Sequence, residues 1–318
     1  MRVIFAAHED GWGGFLGMIR SELPGYEFVA TGRYGFDSLK GFDVLIPTMS
    51  RVSREMLETN DRLRLVQQAG AGLEGVDIAA ARDLGIYVAN VPADLAGNAD
   101  SVAELGIYML IGLSRDIRGM AKSLSRRQMG VPPGRALSGK TIGLVGLGGI
   151  GKALIRRLRS FDVRLIAIKR SNPMKAKEDL GLDWVGGPQD LPELLSRSDH
   201  VILALPMTSE TKRLMNRETF SCMKKGAFLI NLARGGLVDR DALEESLASG
   251  HLAGAGLDVF WEEPPDPNDP VFAYNVLATP HIGGSTDVSV QGIVKAVAEN
   301  LRRLENDLEP LHLKKPSD

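Results

Sequence analysis

The chain has 318 residues, 44% of them hydrophobic and 25% charged, and carries a formal net charge of -2 from 38 Lys and Arg against 40 Asp and Glu. That length exceeds one ordinary core and predicts about two domains at roughly 150 residues each, while the composition excludes disordered, collagen-like and disulfide-framework chains. The balanced charge supplies no basic field for nucleic acid or for an anionic membrane surface. Cys222 is the single cysteine, so no internal disulfide can form, and the first seven residues run into a strand pattern rather than a signal peptide. No apolar stretch approaches the roughly 20 residues of a membrane span. The expectation is a cytoplasmic protein.

Short apolar runs bounded by turn residues alternate with helical periodicity, which predicts βα units and parallel sheets. A first series covers roughly residues 1–95, with strands at 2–7, 44–46, 65–68 and 86–89 and a helix at 77–84. Between them, the glycine-rich stretch from His8 to Phe15 reads as a surface loop, with an anion nest or a flexible edge as the alternatives. A longer helix starts at Asn98, its cap, and lines up Val102, Leu105, Met109 and Leu113 on one face. After the turn-rich Gly130 to Gly134, a second series places strands at 141–145, 164–168, 200–203, 228–231 and 255–258. A last helix at about 288–304 is expected to return to the first domain. Residues 1–97 and 286–318 then form one domain and residues 98–285 the other.

The segment Gly146-Leu-Gly148-Gly149-Ile150-Gly151 stands directly after an apolar strand and directly before a helix. That context turns a common glycine pattern into a dinucleotide-binding loop: Gly146 for the tight turn, Gly148 for approach to a pyrophosphate, and Gly151 for close helix packing. An NAD site needs a carboxylate at the end of the following strand, to bind the ribose 2'-hydroxyl. Here the strand ends in Lys169-Arg170-Ser171-Asn172. Cations there suit a 2'-phosphate, so NADP(H) is favoured, with NAD(H) as the alternative.

Arg234, Glu263 and His281 each stand just beyond an apolar strand, where open α/β sheets hold their ligands. Carbonyl reduction needs a cation for the substrate oxygens and an acid that protonates near neutral pH, tasks that Arg234 and His281 fit. A carboxylate beside an imidazole favours the imidazolium, which is Glu263's task. Cys222 lacks a local base and reads as packing, and His8, His200, His251 and His312 have no metal-ligand spacing, so no metal is expected.

The runs Asn231-Leu-Ala-Arg234-Gly-Gly-Leu-Val-Asp239, Asp258-Val-Phe-Trp-Glu-Glu263-Pro264 and Thr279-Pro-His281-Ile-Gly-Gly-Ser285 resemble the D-isomer-specific 2-hydroxyacid dehydrogenase family. Gln68-Ala-Gly70-Ala-Gly72 and Gly85-Ile-Tyr-Val-Ala-Asn90-Val-Pro92 strengthen the resemblance, which spans nearly the whole chain. It implies an α/β architecture of two Rossmann-like domains, one flavodoxin-like and one dinucleotide-binding, with parallel sheets and an interdomain cleft. It implies that Arg234 orients a 2-oxo acid, that His281 is the acid and base, and that Glu263, rather than Glu262, is its partner.

By the same resemblance Asp258 holds the nicotinamide carboxamide, and Pro206 and Thr211 lie along the adenine and ribose. Leu205, Leu232, Ala233 and Gly283 also line the cofactor. The N–H groups of Ala71 and Gly72 receive the substrate carboxylate, and Thr48, Met49 and Ser50 are the further pocket candidates. A homodimer through the cofactor domains is implied.

Two departures bear on the substrate. The region from Arg126 to Pro133 lacks the aromatic residue of several relatives, and Pro47-Thr48-Met49-Ser50 lacks the arginine that phosphoglycerate dehydrogenases place near that strand end. A small unphosphorylated acid such as glyoxylate, hydroxypyruvate or pyruvate is therefore expected. Phosphoglycerate dehydrogenase and a dinucleotide-sensing interaction module are the alternatives.

Overall fold

Runs of three to six mostly apolar residues set the strands, and in a computed structural model that describes residues 1–315 every strand pair of the two sheets is parallel. The chain divides into one unit of Met1–Asn98 with Gly284–Asp318 and a second of Ala99–Gly283.

The first unit holds β1 (Arg2–Phe5), β2 (Glu27–Ala30), β3 (Val44–Ile46), β4 (Leu65–Gln67) and β5 (Tyr87–Ala89) in the order β2-β1-β3-β4-β5, the flavodoxin-like arrangement. Strand alternation divides the apolar side chains between two faces. Val3, Phe5, Val44 and Ile46 face the helix Gly11–Glu22 and the last helix Asp287–Glu305, meeting Phe15, Leu16, Val294, Val297 and Leu301. Ile4, Leu45, Val66 and Val88 face the other way, onto Leu57, Ala80 and Ala81. The stretch read as a loop from His8 to Phe15 is non-helical at Trp12, Gly13 and Gly14, which all take left-handed backbone, and leads into the right-handed turns of the helix that follow. Glycine permits that backbone at little cost, which local helix propensity does not anticipate. Strand β2 escapes the apolar pattern because it is a short edge strand that opens on exposed Glu27.

The second unit holds β6 (Thr141–Val145), β7 (Arg164–Ile168), β8 (Trp184–Gly186), β9 (His200–Leu203), β10 (Ala227–Asn231), β11 (Leu252–Leu257) and β12 (Val276–Ala278). Their order, β12-β11-β10-β9-β6-β7-β8, reverses direction between β6 and β9. Such a switch point is where open α/β sheets bind ligands. The core joins Val145, Ile166, Leu203, Leu229 and Leu257 of the sheet to Leu194, Phe220 and Leu243 of the helices, and Cys222 packs against it. No described helix is long and apolar enough to cross a membrane, and among the described residues no His, Cys, Asp and Glu cluster could hold a metal ion.

His200 at the start of β9 is 2% exposed, stacks on Phe228 at 5.0 Å between ring centroids, and shares a 2.8 Å hydrogen bond with Ser114. Burial pushes its imidazole down to about 4; Asp199 opposes that shift, and Arg135 and Lys140 reinforce it. The unfolded chain therefore binds a proton between the ordinary 6.5 and 4 that the folded chain refuses. Stability is full above the unfolded value and falls as the pH drops through this window, by about 2 kcal/mol at pH 5. Denaturant unfolding at neutral pH and near pH 5 should show that loss, and His200→Leu should flatten it; an equal slope in the variant would assign the loss elsewhere.

Candidate active site

The loop after β6 divides its three glycines by environment. Gly146 has φ +107°, and a Cβ there would stand 2.4 Å from Ala204 O, so neither the conformation nor the space admits a side chain. A Cβ on Gly151 would stand 2.4 Å from Gly146 O, because the helix Gly149–Leu158 packs directly on its own loop. At Gly148 a Cβ would meet nothing within 4 Å. That open side faces the helix N-terminus, whose first N–H groups have no intrahelical acceptor and no side-chain cap. The loop thus offers N–H donors to an anion and admits it closely, as a pyrophosphate requires.

At the end of β7, Lys169 N–H bonds Gly186 O, Asn172 takes a left-handed turn, and Arg170 and Ser171 are exposed. Neither the Lys169 nor the Arg170 side chain has an ion-pair partner among the described residues, and no carboxylate follows the strand. Beyond β9, Thr211 accepts the Thr208 N–H at 2.8 Å and donates to Pro206 O at 3.0 Å, closing the turn that carries Leu205 and Pro206.

The second unit also gathers Arg234, Glu263 and His281. Asn231, 1% exposed at the end of β10, accepts Ala233 N–H at 3.1 Å and donates to Arg234 O at 2.8 Å, which fixes the backbone of the arginine. The Arg234 guanidinium bonds Ala233 O at 2.6 Å. His281 Nδ1 meets Glu263 Oε2 at 2.7 Å, and Phe260 N–H donates to Glu263 Oε1 at 2.9 Å. Burial alone raises the Glu263 carboxyl, but the hydrogen bond and charge of His281, the Phe260 N–H and the Arg234 charge reverse that and hold it below its ordinary value. Glu262 is exposed, so the neighbouring carboxylate has the other orientation.

His281 adopts φ +55°, a left-handed backbone that a side-chain-bearing residue takes only under constraint. The constraint is Asp258, 2% exposed after β11. Its Oδ1 accepts the Thr279 hydroxyl at 2.7 Å and Ile282 N–H at 2.9 Å, and its Oδ2 accepts Gly283 N–H at 2.9 Å. The carboxylate therefore grips the chain on both sides of His281. Burial raises the Asp258 carboxyl above its ordinary value, and these hydrogen bonds and the His281 charge offset only part of that. Its Oδ2 keeps capacity for one more donor, the kind of group a carboxamide offers.

In the first unit Thr48 has φ +54°, and its hydroxyl donates to Ala6 O at 2.7 Å; Ser50, buried, reaches the same oxygen at 3.4 Å. Met49 between them is half-buried. Gln68 Nε2 ties Thr48 O to Gly72 O, at 2.8 Å each, so the two candidate loops are joined. The N–H groups of Ala71 and Gly72 have no acceptor among the described residues.

Sequence reasoning quoted Asn231, Thr279, Gln68 and Asn90 within its motif runs but gave no role to these residues, which hold the groups above. The one available signal was polarity at the end of an apolar strand, as at Asn231.

Residues 107–283 match the D-isomer specific 2-hydroxyacid dehydrogenase, NAD binding domain. The glyoxylate reductase of Pyrococcus horikoshii is 38% identical over 274 residues, which cover 83% of this chain and 80% of that one. The D-3-phosphoglycerate dehydrogenase of Methanocaldococcus jannaschii is 35% identical over 84% of this chain, which spans about half of that relative's length, 51%. Among solved structures, the NADPH-dependent glyoxylate/hydroxypyruvate reductase of Sinorhizobium meliloti, in complex with NADP and malonate, superposes with a TM-score of 0.83 at 27% identity, covering 98% of this chain and 96% of that one. The chain belongs to the D-isomer specific 2-hydroxyacid dehydrogenase family, and it is an oxidoreductase with an NAD-binding domain.

The glycine environments separate folding from binding. Gly151→Ala should lower the melting temperature, at a cost of about 1–3 kcal/mol from overpacking. Gly148→Ala should melt with the unsubstituted protein yet weaken dinucleotide binding in a fluorescence titration. Equal behaviour of the two variants in both measurements would contradict this division.

Proposed function

We propose that the protein reduces a small 2-oxo acid, such as glyoxylate, hydroxypyruvate or a pyruvate-like acid, to its D-2-hydroxy acid, with NADPH preferred over NADH. The observation that carries the reading is the 2.7 Å bond between His281 and Glu263, with the Arg234 charge acting on the same carboxylate. The second unit is the cofactor unit and the first the substrate unit. When bound, the reduced nicotinamide supplies the hydride that the carbonyl carbon receives.

The protein's own groups carry the rest. Arg234 holds the oxygens of the 2-oxo acid and stabilises the negative charge that develops as the carbonyl is reduced. His281 delivers a proton to that oxygen; with Nδ1 committed to Glu263, the transfer runs through Nε2. Glu263 orients the ring and stabilises its charged form. Asp258 holds the His281 turn and takes the carboxamide on Oδ2. Gly146, Gly148, Gly149, Ile150 and Gly151 hold the pyrophosphate, and Leu205, Pro206, Thr211, Leu232, Ala233 and Gly283 line the cofactor. Lys169, Arg170 and Ser171 take the 2'-phosphate, and their lack of a nearby carboxylate or ion-pair partner supports this. Ala71 and Gly72 give their N–H groups to the substrate carboxylate beside Thr48, Met49 and Ser50.

The protein acts as a cytoplasmic homodimer joined through the cofactor units. The helix Ile117–Ser125 buries none of its residues, and Leu124 and Met129 are 75% and 88% exposed, which favours such a contact. Light scattering should give twice the chain mass. The Methanocaldococcus relative favours phosphoglycerate dehydrogenase as the second reading.

Initial rates of nicotinamide oxidation with glyoxylate and hydroxypyruvate, in parallel with NADPH and NADH, test the proposal, with 3-phosphoglycerate and NAD as the control. NADPH should lead by about tenfold or more in kcat/KM, and Arg170→Ala should remove most of that lead. Faster NADH turnover would sink the 2'-phosphate assignment, and silence on every 2-oxo acid would sink the reductase. His281→Ala should lose about 10²–10⁴ in kcat while still binding NADPH. In Glu263→Gln kcat should fall by about tenfold or more while NADPH binding holds, because the ring loses the carboxylate that orients it. An unchanged kcat would deny Glu263 this role.

A further inference from the structure

The last described residues fold back along the edge of the first unit's sheet. Leu313 forms an antiparallel bridge with Ala89 of β5, Lys314 N–H donates to Val88 O at 2.8 Å, and Asn90 N–H reaches His312 O at 3.4 Å. The strap is held at its root by Asn300 on the helix Asp287–Glu305, a side chain only 2% exposed. Asn300 Oδ1 accepts Leu311 N–H at 2.7 Å, and its Nδ2 donates to Leu311 O at 3.1 Å and to Gln67 Oε1 at 2.7 Å. Gln67, fully buried at the end of β4, in turn donates from Nε2 to Gln68 O at 3.0 Å. Two buried amides, each bonded through both its oxygen and its nitrogen, thus join the helix, the strap and the start of the loop after β4.

The consequence lies in the loop itself. Val91 N–H donates to Gly70 O at 2.9 Å, and Asn90 Nδ2 donates to Ala71 O at 2.7 Å. Gln68 Nε2 holds Gly72 O at 2.8 Å. A trans peptide is planar, so anchoring a carbonyl fixes the direction of the next N–H. The Gly70 carbonyl aims the Ala71 N–H, and the Ala71 carbonyl aims the Gly72 N–H. Both anchors come from Asn90 and Val91, at the stretch of chain that the strap pairs with, and the third comes from the residue that Gln67 holds.

We propose that the C-terminal strap, pinned by the Asn300–Gln67 pair, is a positioning element for the Ala71 and Gly72 N–H groups and so sets the affinity for the substrate carboxylate. Asn300 acts through the strap and touches no substrate. The inference rests on the reading that these two N–H groups receive that carboxylate.

The test compares the full chain with Asn300→Ala and with a chain ended after Glu309, each checked for a cooperative melt. Amide hydrogen exchange at Gln68 and Val91, whose N–H groups bond Ala89 O and Gly70 O, should accelerate about tenfold in both, and KM for glyoxylate should rise about five- to tenfold, the effect of roughly one lost hydrogen bond. Turnover at saturating glyoxylate and NADPH affinity should hold within about twofold, a split that general loosening of the fold would not produce. Unchanged exchange in a folded variant, or a parallel loss of kcat and NADPH binding, would overturn the proposal. Ala71→Pro, which deletes one of the two N–H groups, separates the causes. If it raises KM while exchange in the strap variants stays unchanged, the carboxylate reading stands and the strap role falls. If exchange accelerates and KM stays level in all three, the carboxylate reading fails and takes the strap role with it.

Discussion

Parallel pairing is the constraint from which the site follows. When every strand of a sheet runs the same way, every strand ends on the same edge, and the loops that follow are collected there however far apart they lie in the chain. In the second unit that edge receives Gly146 after β6, Lys169 after β7, Leu205 after β9, Arg234 after β10, Asp258 after β11 and His281 after β12. The reversal of strand order between β6 and β9 parts the loops at the glycine turn. An antiparallel sheet of the same strands would send half of these residues to the opposite edge.

A shared edge brings the groups near one another, and buried polar contacts then aim them. The His281 backbone sits in a region that costs about 1–3 kcal/mol for a residue with a side chain. Asp258 offsets this by accepting from Thr279, Ile282 and Gly283 in a site where an unpaired carboxylate would be far more costly. Glu263 is bound in the same manner, by one backbone N–H and one imidazole. The first unit uses neutral amides for the equivalent task, with Gln68, Asn90 and Asn300 holding carbonyls whose orientation fixes the neighbouring N–H groups. Charged anchors hold the turn that bears His281. Uncharged ones hold the turn of Ala71 and Gly72.

Much of this was legible in the residues alone. Apolar runs located β1, β3 to β7 and β9 to β12 to within a few residues, because strands buried on both faces need near-continuous hydrophobic sequence. The edge strands β2 and β8 escaped notice, one opening on exposed Glu27 and the other only three residues long. Glycine spacing marked the loop after β6, since a positive φ and a contact of 2.4 Å leave no other residue type there. The same rule held at Gly13 and Gly14, whose left-handed backbone leads into the helix that follows.

The sequence by itself determined the two α/β units, the glycine turn, the cation pair after β7 and the placing of Arg234, Glu263 and His281 just beyond apolar strands, because each is written in residue type and local spacing. Only the tertiary structure decided that Asp258 grips both sides of His281, that Gln68 joins Thr48 to Gly72, and that Asn300 ties the end of the chain to Gln67. Those bonds cross from about twenty to more than two hundred residues of chain, apart from the short reach from Gln68 to Gly72. A hydrogen bond between distant segments leaves no periodic trace in either of them; it exists only once the sheets have brought the segments within about 3 Å.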